Sequence, residues 1–148
     1  MPWPRELGRI GALAERRAGD ARRRAGQALD RAVEREDQAD ALRQQGAEQL
    51  QLAELDEMHG ISRETLFTRL RGVAIARAHH LECQLRAERL QHEAEDARDQ
   101  ALDLQQQAGT HQSRARRLQS VQAQLSKAQR RALLRRQERE IEEEIACR

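Results

Sequence analysis

The chain has 148 residues, of which 35% are charged and 1% aromatic, and its formal net charge is +2. A chain so poor in aromatic side chains is not expected to build a thick globular core. It also lacks the roughly 18–20-residue apolar run of a membrane-spanning helix and shows no secretion signal. We therefore expect a cytoplasmic protein without membrane insertion.

The first predicted element is a long helix over about residues 5–58. The last proline is Pro4, and the strong helix formers Ala, Leu, Glu, Gln and Arg dominate the rest of the chain. Small and apolar residues recur at coiled-coil spacing and form a narrow strip that would face a partner helix, called the seam below. In this helix the seam consists of Leu7, Gly11, Ala14, Ala18, Ala21, Ala25, Ala28, Ala32, Ala39, Leu42, Gly46 and Ala53.

A turn is predicted at residues 59–62, where Gly60 can adopt the left-handed conformation and Ser62 can cap the next helix. The second helix then extends over about residues 63–147. Its seam keeps heptad spacing through Leu66, Val73, Ala76, His80, Cys83, Ala87, Leu90, Ala94, Ala97, Ala101, Leu104, Ala108, His111, Ala115, Leu118 and Leu125.

These lengths predict an all-α fold: one domain, residues 1–148, forming a long antiparallel two-helix coiled-coil hairpin with an extended second helix. Because the second helix is about 30 residues longer than the first, the overhang should cover about residues 118–148 and measure roughly 45 Å. Its apolar residues have no partner helix within the chain, so we expect a partner protein to cover them.

Charge is unevenly distributed over residues 113–148, which include the predicted overhang. Residues 138–148 contain five glutamates and two arginines, whereas residues 113–137 contain eight basic residues and no acidic one. This polarity indicates an interaction surface. The basic residues are Arg114, Arg116, Arg117, Lys127, Arg130, Arg131, Arg135 and Arg136.

The sequence favours neither a catalytic nor a metal site, and we expect no enzymatic activity and no cofactor. His79 and Cys83 lie four residues apart, but two potential ligands do not form a metal site, and ordinary packing in the seam is favoured. The glutamates at 142–144 are interpreted as a solvated helix end. Cys83 and Cys147 are expected to be free thiols, because they follow no ligand spacing.

Two alternatives to a specific partner-binding role remain. A generic coiled-coil adaptor would dimerise through the apolar residues of the overhang. A nucleic-acid-associated helix would use the basic segment to follow a phosphate backbone. The absence of interleaved aromatic residues and the acidic tail disfavour nucleic acid, so a basic face that binds an acidic protein surface is preferred.

The layout resembles the stalk proteins of bacterial type III export systems, the FliJ/YscO family. The residues that carry this resemblance are the stripe Leu7, Ile10 and Leu13, the tip at residues 59–62 and the charged C-terminal run from Arg117 to Glu143. The chain departs from the family in being rich in Arg and Ala and poor in Lys and aromatic residues. The flagellar and virulence branches are thus not separated, although the virulence branch is slightly favoured.

The resemblance implies a non-enzymatic, monomeric central stalk that binds a hexameric export ATPase, an export-gate membrane protein and substrate chaperones. It implies a gate contact through Leu66, Phe67, Leu70 and Val73. The implied ATPase contact consists of Leu7, Ile10, Leu13, Leu118, Val121, Leu125, Arg130, Arg131, Leu134, Arg135, Arg136, Ile141 and Ile145.

Overall fold

The computed structural model describes residues 3–54, 60 and 62–146, and it contains two helices in this part of the chain. Helix α1 spans Trp3–Glu54 and helix α2 spans Arg63–Ala146. The two helices pack against each other, and no residue in the described ranges belongs to a strand. The prediction of an all-α two-helix hairpin is confirmed.

The start of α2 is fixed by a glycine and a serine. Gly60 has a φ of 74°, a left-handed conformation that costs glycine little. The Ser62 hydroxyl accepts a hydrogen bond from the backbone N–H of Thr65 at 3.3 Å, and the Ser62 carbonyl accepts one from Leu66 at 3.0 Å. Ser62 therefore caps α2, as predicted. The remaining turn positions, residues 59 and 61, lie outside the described residues.

Most of the buried residues of the hairpin are alanines. In the described ranges the buried hydrophobic residues are twelve alanines and Cys83, with no larger aliphatic side chain among them. Each alanine removes little apolar area from water, so close approach along the whole seam must stabilise the pair. The buried alanines are Ala14, Ala18, Ala21, Ala25, Ala28, Ala32, Ala39, Ala87, Ala94, Ala101, Ala108 and Ala115.

The chain divides into two compact units, and both helices contribute to each of them. Unit 1 contains the residues up to Arg24 and those from Asp103 onward. Its helices are antiparallel, because the partner on α2 moves from Gln122 back to Gln112 as the residue on α1 advances from Gly8 to Arg22. The contacts that show this are Gly8 beneath Gln122, Gly11 beside Leu118, Gln119 donating to Glu15, and Arg22 donating to Gln112.

Unit 2 comprises Ala25–Leu102. Its helices are antiparallel as well, because Arg35 pairs with Glu93 whereas Glu54, further along α1, pairs with Arg77. Ion pairs and a hydrogen bond connect the two helices along the edges of the seam. These are the ion pairs of Arg35 with Glu93 (3.2 Å), Arg98 with Glu36 (2.6 Å) and Arg77 with Glu54 (3.0 Å), and the hydrogen bond that Arg43 donates to Gln91.

Within unit 1, α2 continues beyond the start of α1. The seam contacts end near Gly8 and Gln122, Ser126 is half-buried, and every described side chain from 127 to 146 is exposed. The overhang therefore begins after Ser126 and not near residue 118. The reason is that α1 begins at Trp3 and covers Leu118 with Gly11. The segment 127–146, called the free end below, is about 20 residues or roughly 30 Å long.

Candidate partner-binding surfaces

The first candidate surface lies on unit 1, where the predicted ATPase-binding residues fall into two groups. Leu7 and Leu118 are half-buried, and a Cβ at Gly11 would lie 3.9 Å from the Leu118 Cβ. These two leucines therefore help to hold α1 against α2. The other eleven predicted residues are exposed, so a partner could contact them without separating the helices.

Four of these exposed residues flank the seam of unit 1. Ile10 and Leu13 on α1 are 44% and 49% exposed, and Val121 and Leu125 on α2 are 43% and 38% exposed. Leu125 was predicted to lie in the seam, but it is only partly covered because α1 has almost ended at its level. Close to Ile10 and Leu13, a shallow groove is lined by Ala14, Arg17, His111 and Arg114.

The free end carries a separate apolar stripe. Leu134, Ile141 and Ile145 are 57%, 56% and 70% exposed, and their spacing of seven and four residues aligns them on one side of α2. Leu134 follows Leu118 by 16 residues, which corresponds to a rotation of about 160° in an α-helix. The stripe thus lies nearly opposite the seam, so it does not continue the surface that packs on α1.

Charge along the free end changes sign near residue 137. The N-terminal half carries Lys127, Arg130, Arg131, Arg135 and Arg136, all exposed. The C-terminal half is acidic, and the side chains of Glu138, Glu140, Glu142 and Glu143 are exposed. The free end therefore offers a partner an apolar stripe with a basic half and an acidic half.

The second candidate surface is the beginning of α2 in unit 2. Of the four residues predicted to contact the export gate, Leu66 and Val73 are half-buried, whereas Phe67 and Leu70 are 59% and 47% exposed. The guanidinium of Arg63 lies 5.7 Å from the centre of the Phe67 ring, a cation–π contact. The four residues thus do not form one continuous exposed surface.

Sequence reasoning overlooked other exposed apolar residues on the same helix. Ile75, Leu81 and Leu85 are 63%, 59% and 57% exposed. The sequence does contain a signal for them, since Leu81 and Leu85 follow Phe67 and Leu70 at the spacing of one helix face. It was overlooked because the heptad pattern of the seam also runs through this segment.

The histidine and cysteine cluster lies in the seam of unit 2, as expected from the sequence. Cys83 is buried, and its Sγ lies 3.6 Å from Nδ1 of His79. Nδ1 of His80 is buried without a hydrogen-bond partner. A Cβ at Gly46 would lie 3.0 Å from the Cys83 Cβ and 3.2 Å from this nitrogen. Gly46 therefore provides the space in which these side chains pack. In the described ranges no three His, Cys, Asp or Glu residues are arranged to hold a metal ion.

Neither α1 nor α2 includes, within its described residues, a stretch long and apolar enough to cross a membrane. Comparison of the chain with protein-family models, with curated proteins and with solved structures gave no match.

Proposed function

We propose that this chain is a non-enzymatic binding protein whose main partner docks on the free end and the adjoining part of unit 1. The observation that carries the proposal is the exposure of α2 beyond Ser126, with Leu134, Ile141 and Ile145 aligned on one side. A helix with an aligned apolar stripe and no partner helix exposes surface that association would remove from water.

The partner that we propose is the hexameric export ATPase of a type III secretion system, with this chain as its central stalk. The support is the resemblance in layout to the FliJ/YscO family, together with the charge of the free end. Arg130, Arg131, Arg135 and Arg136 would contact acidic loops of the ring, while the exposed Ile10, Leu13, Val121 and Leu125 would add apolar contacts. Long-range attraction of this kind is screened by salt, so binding should weaken as ionic strength rises.

The remaining parts of the stalk proposal concern unit 2 and the cellular setting. Phe67 and Leu70 would contact the export-gate membrane protein, with Leu66 and Val73 supporting the helix from the seam side. Substrate chaperones would be further partners. The form that binds the ATPase would be a single hairpin, located on the cytoplasmic side of the inner-membrane export apparatus.

The proposal predicts that the purified chain raises the hydrolysis rate of its cognate ATPase at low salt. The double variant Leu134→Ser with Ile141→Ser should lose most of this stimulation, because it removes apolar side chains on which the partner is proposed to dock. Both substitutions lie on the free end and disturb no contact between the helices. A matched control is Leu102→Ser, which changes an equally exposed leucine of unit 2 and should leave the stimulation intact. Steady-state phosphate release measures the effect.

Absence of stimulation by the native chain, with an ATPase proven to be cognate, would contradict the stalk role. The exposed basic segment supports nucleic-acid binding as a second candidate. Affinity for DNA or RNA that falls steeply with salt and requires Arg130, Arg131, Arg135 and Arg136 would favour that candidate. Dimers held by the free end alone would favour a generic adaptor.

A further inference from the structure

Helix α2 has a second apolar stripe in unit 2, on the side that faces away from α1. The residues follow one another at intervals of three or four, which confines them to an arc of about 80° on an α-helix. Phe67 precedes the buried Cys83 by 16 residues, a rotation of about 160°, so the stripe lies almost opposite the seam. We call it the outer stripe, and it consists of Phe67, Leu70, Ala74, Ala78, Leu81 and Leu85.

All six residues of the outer stripe are exposed, and the four large ones are 47–59% exposed. One side of α2 is already occupied by α1, through Cys83 and Ala87. A helix that is apolar on two opposite sides requires a partner on each of them to remove both from water. The outer stripe is therefore apolar surface that a further helix could cover.

The sizes of the side chains along the outer stripe are symmetric about its midpoint, which lies between Ala74 and Ala78. If a second copy of α2 lies antiparallel against it, large side chains meet large ones and small side chains meet small ones. The small central pair permits close approach of the two helices at the twofold axis. The facing pairs are Phe67 with Leu85 of the second copy, Leu70 with Leu81, and Ala74 with Ala78.

The exposed charges beside the stripe show the same symmetry. In the antiparallel arrangement three facing pairs have opposite signs, whereas a parallel arrangement would bring different flanks together and would not form these pairs. Arg77, which lies near the twofold axis, is already paired with Glu54 of its own chain at 3.0 Å. Opposite charges across an interface therefore favour the antiparallel orientation. The pairs are Glu64 with Arg89 of the second copy and Arg71 with Glu82 on one flank, and Arg63 with Glu88 on the other.

We propose that the outer stripe is a homodimer interface, in which residues 63–89 of two copies of this chain pair antiparallel about a twofold axis. About a dozen residues on each copy take part, fewer than the roughly 20–30 of a standard interface, so the dimer should be weak and concentration-dependent. Glu82 already pairs with Arg86 at 2.5 Å, and Arg71 of the second copy would add a second cation to this carboxylate. The interface lies in unit 2 and does not depend on the proposed function of unit 1. Because it includes Phe67 and Leu70, the dimer and the proposed gate contact would exclude each other.

Charge reversal in the full-length chain tests this arrangement. The first variant combines Arg71→Glu with Arg89→Glu, and the second combines Glu64→Arg with Glu82→Arg. Because the dimer is symmetric, the pairs Glu64–Arg89 and Arg71–Glu82 each occur twice. In a homodimer of either variant all four of these pairs become like-charged, and in a heterodimer of the two variants all four have opposite charges again. Sedimentation velocity over a range of concentrations measures the association of each variant and of their equimolar mixture.

The native chain should dimerise, and each variant alone should associate at least about tenfold more weakly. The equimolar mixture should dimerise as tightly as the native chain. Arg114→Glu with Arg117→Glu is the matched control, because it reverses two exposed arginines of α2 in unit 1 and should leave the dimer intact. Circular dichroism checks that every variant remains helical. A native chain that stays monomeric, variants that associate as tightly as the native chain, or a mixture that does not recover would each overturn the proposal.

Discussion

At Gly46 the second helix comes too close for any larger residue. A Cβ there would meet the Cβ of Cys83 at 3.0 Å and the Cα of His80 at 3.4 Å, and neither atom can move without shifting α2. Gly26 lies on the same helix and in the same unit, but nothing lies within 4 Å of the position of its Cβ. Alanine substitutions at the two glycines, when compared, therefore separate the effect of packing from that of helix propensity.

Gly26→Ala should stabilise the chain by about 1 kcal/mol, because alanine is the better helix former. Gly46→Ala gains the same propensity but forces the helices apart, which typically costs about 1–3 kcal/mol. We expect Gly46→Ala to be less stable than Gly26→Ala by about that cost, measured by urea unfolding followed by circular dichroism. Equal stability of the two variants would show that the helices separate at Gly46 at no cost.

At the scale of the elements, α2 has segments of different local stability. Residues 87–115 contribute a buried alanine in every heptad, whereas residues 127–146 have no buried side chain among those described. Most of the stability of helices in proteins comes from tertiary packing, which this segment lacks. The free end should therefore open far more often than the paired part of the same helix.

Hydrogen–deuterium exchange of the native chain should show this difference. Backbone amides in residues 127–146 should exchange with opening free energies near zero to about 1 kcal/mol, while those of residues 87–115 should approach the global value. Binding of the partner proposed for the free end should slow exchange there. Strong protection of the free end in the isolated chain would mean that another copy already covers it.

At the scale of the whole molecule, a core made of alanines predicts an unusual heat capacity of unfolding. This quantity increases with the apolar area exposed, and ordinary domains show about 12–15 cal/mol/K per residue. We expect this chain to fall below that range in differential scanning calorimetry at concentrations where it is monomeric. A value within the range would indicate that more apolar surface is buried than α1 and α2 bury against each other.

Much of the fold could be predicted from the sequence because the spacing of small residues specifies the seam. Every predicted seam residue except Leu125 is buried or half-buried, and the left-handed Gly60 and the cap at Ser62 were both anticipated. The start of the overhang was predicted nine residues too early, since the spacing does not tell which residue of α1 lies opposite Leu118. The outer stripe was overlooked because residues 67–85 combine two apolar patterns on opposite sides of one helix.

The glycine at position 46 also bears on how unit 2 selects one alignment of its helices during folding. Alanines that recur every seven residues present nearly the same surface after a slip of one heptad, about 10.5 Å along the axis. In such a slipped pairing His80 and Cys83 would face Ala39 or Ala53 in place of Gly46, and the methyl group there would occupy their space. The absence of a side chain at Gly46 thus gives the native alignment a lower free energy than the two alignments that differ from it by one heptad.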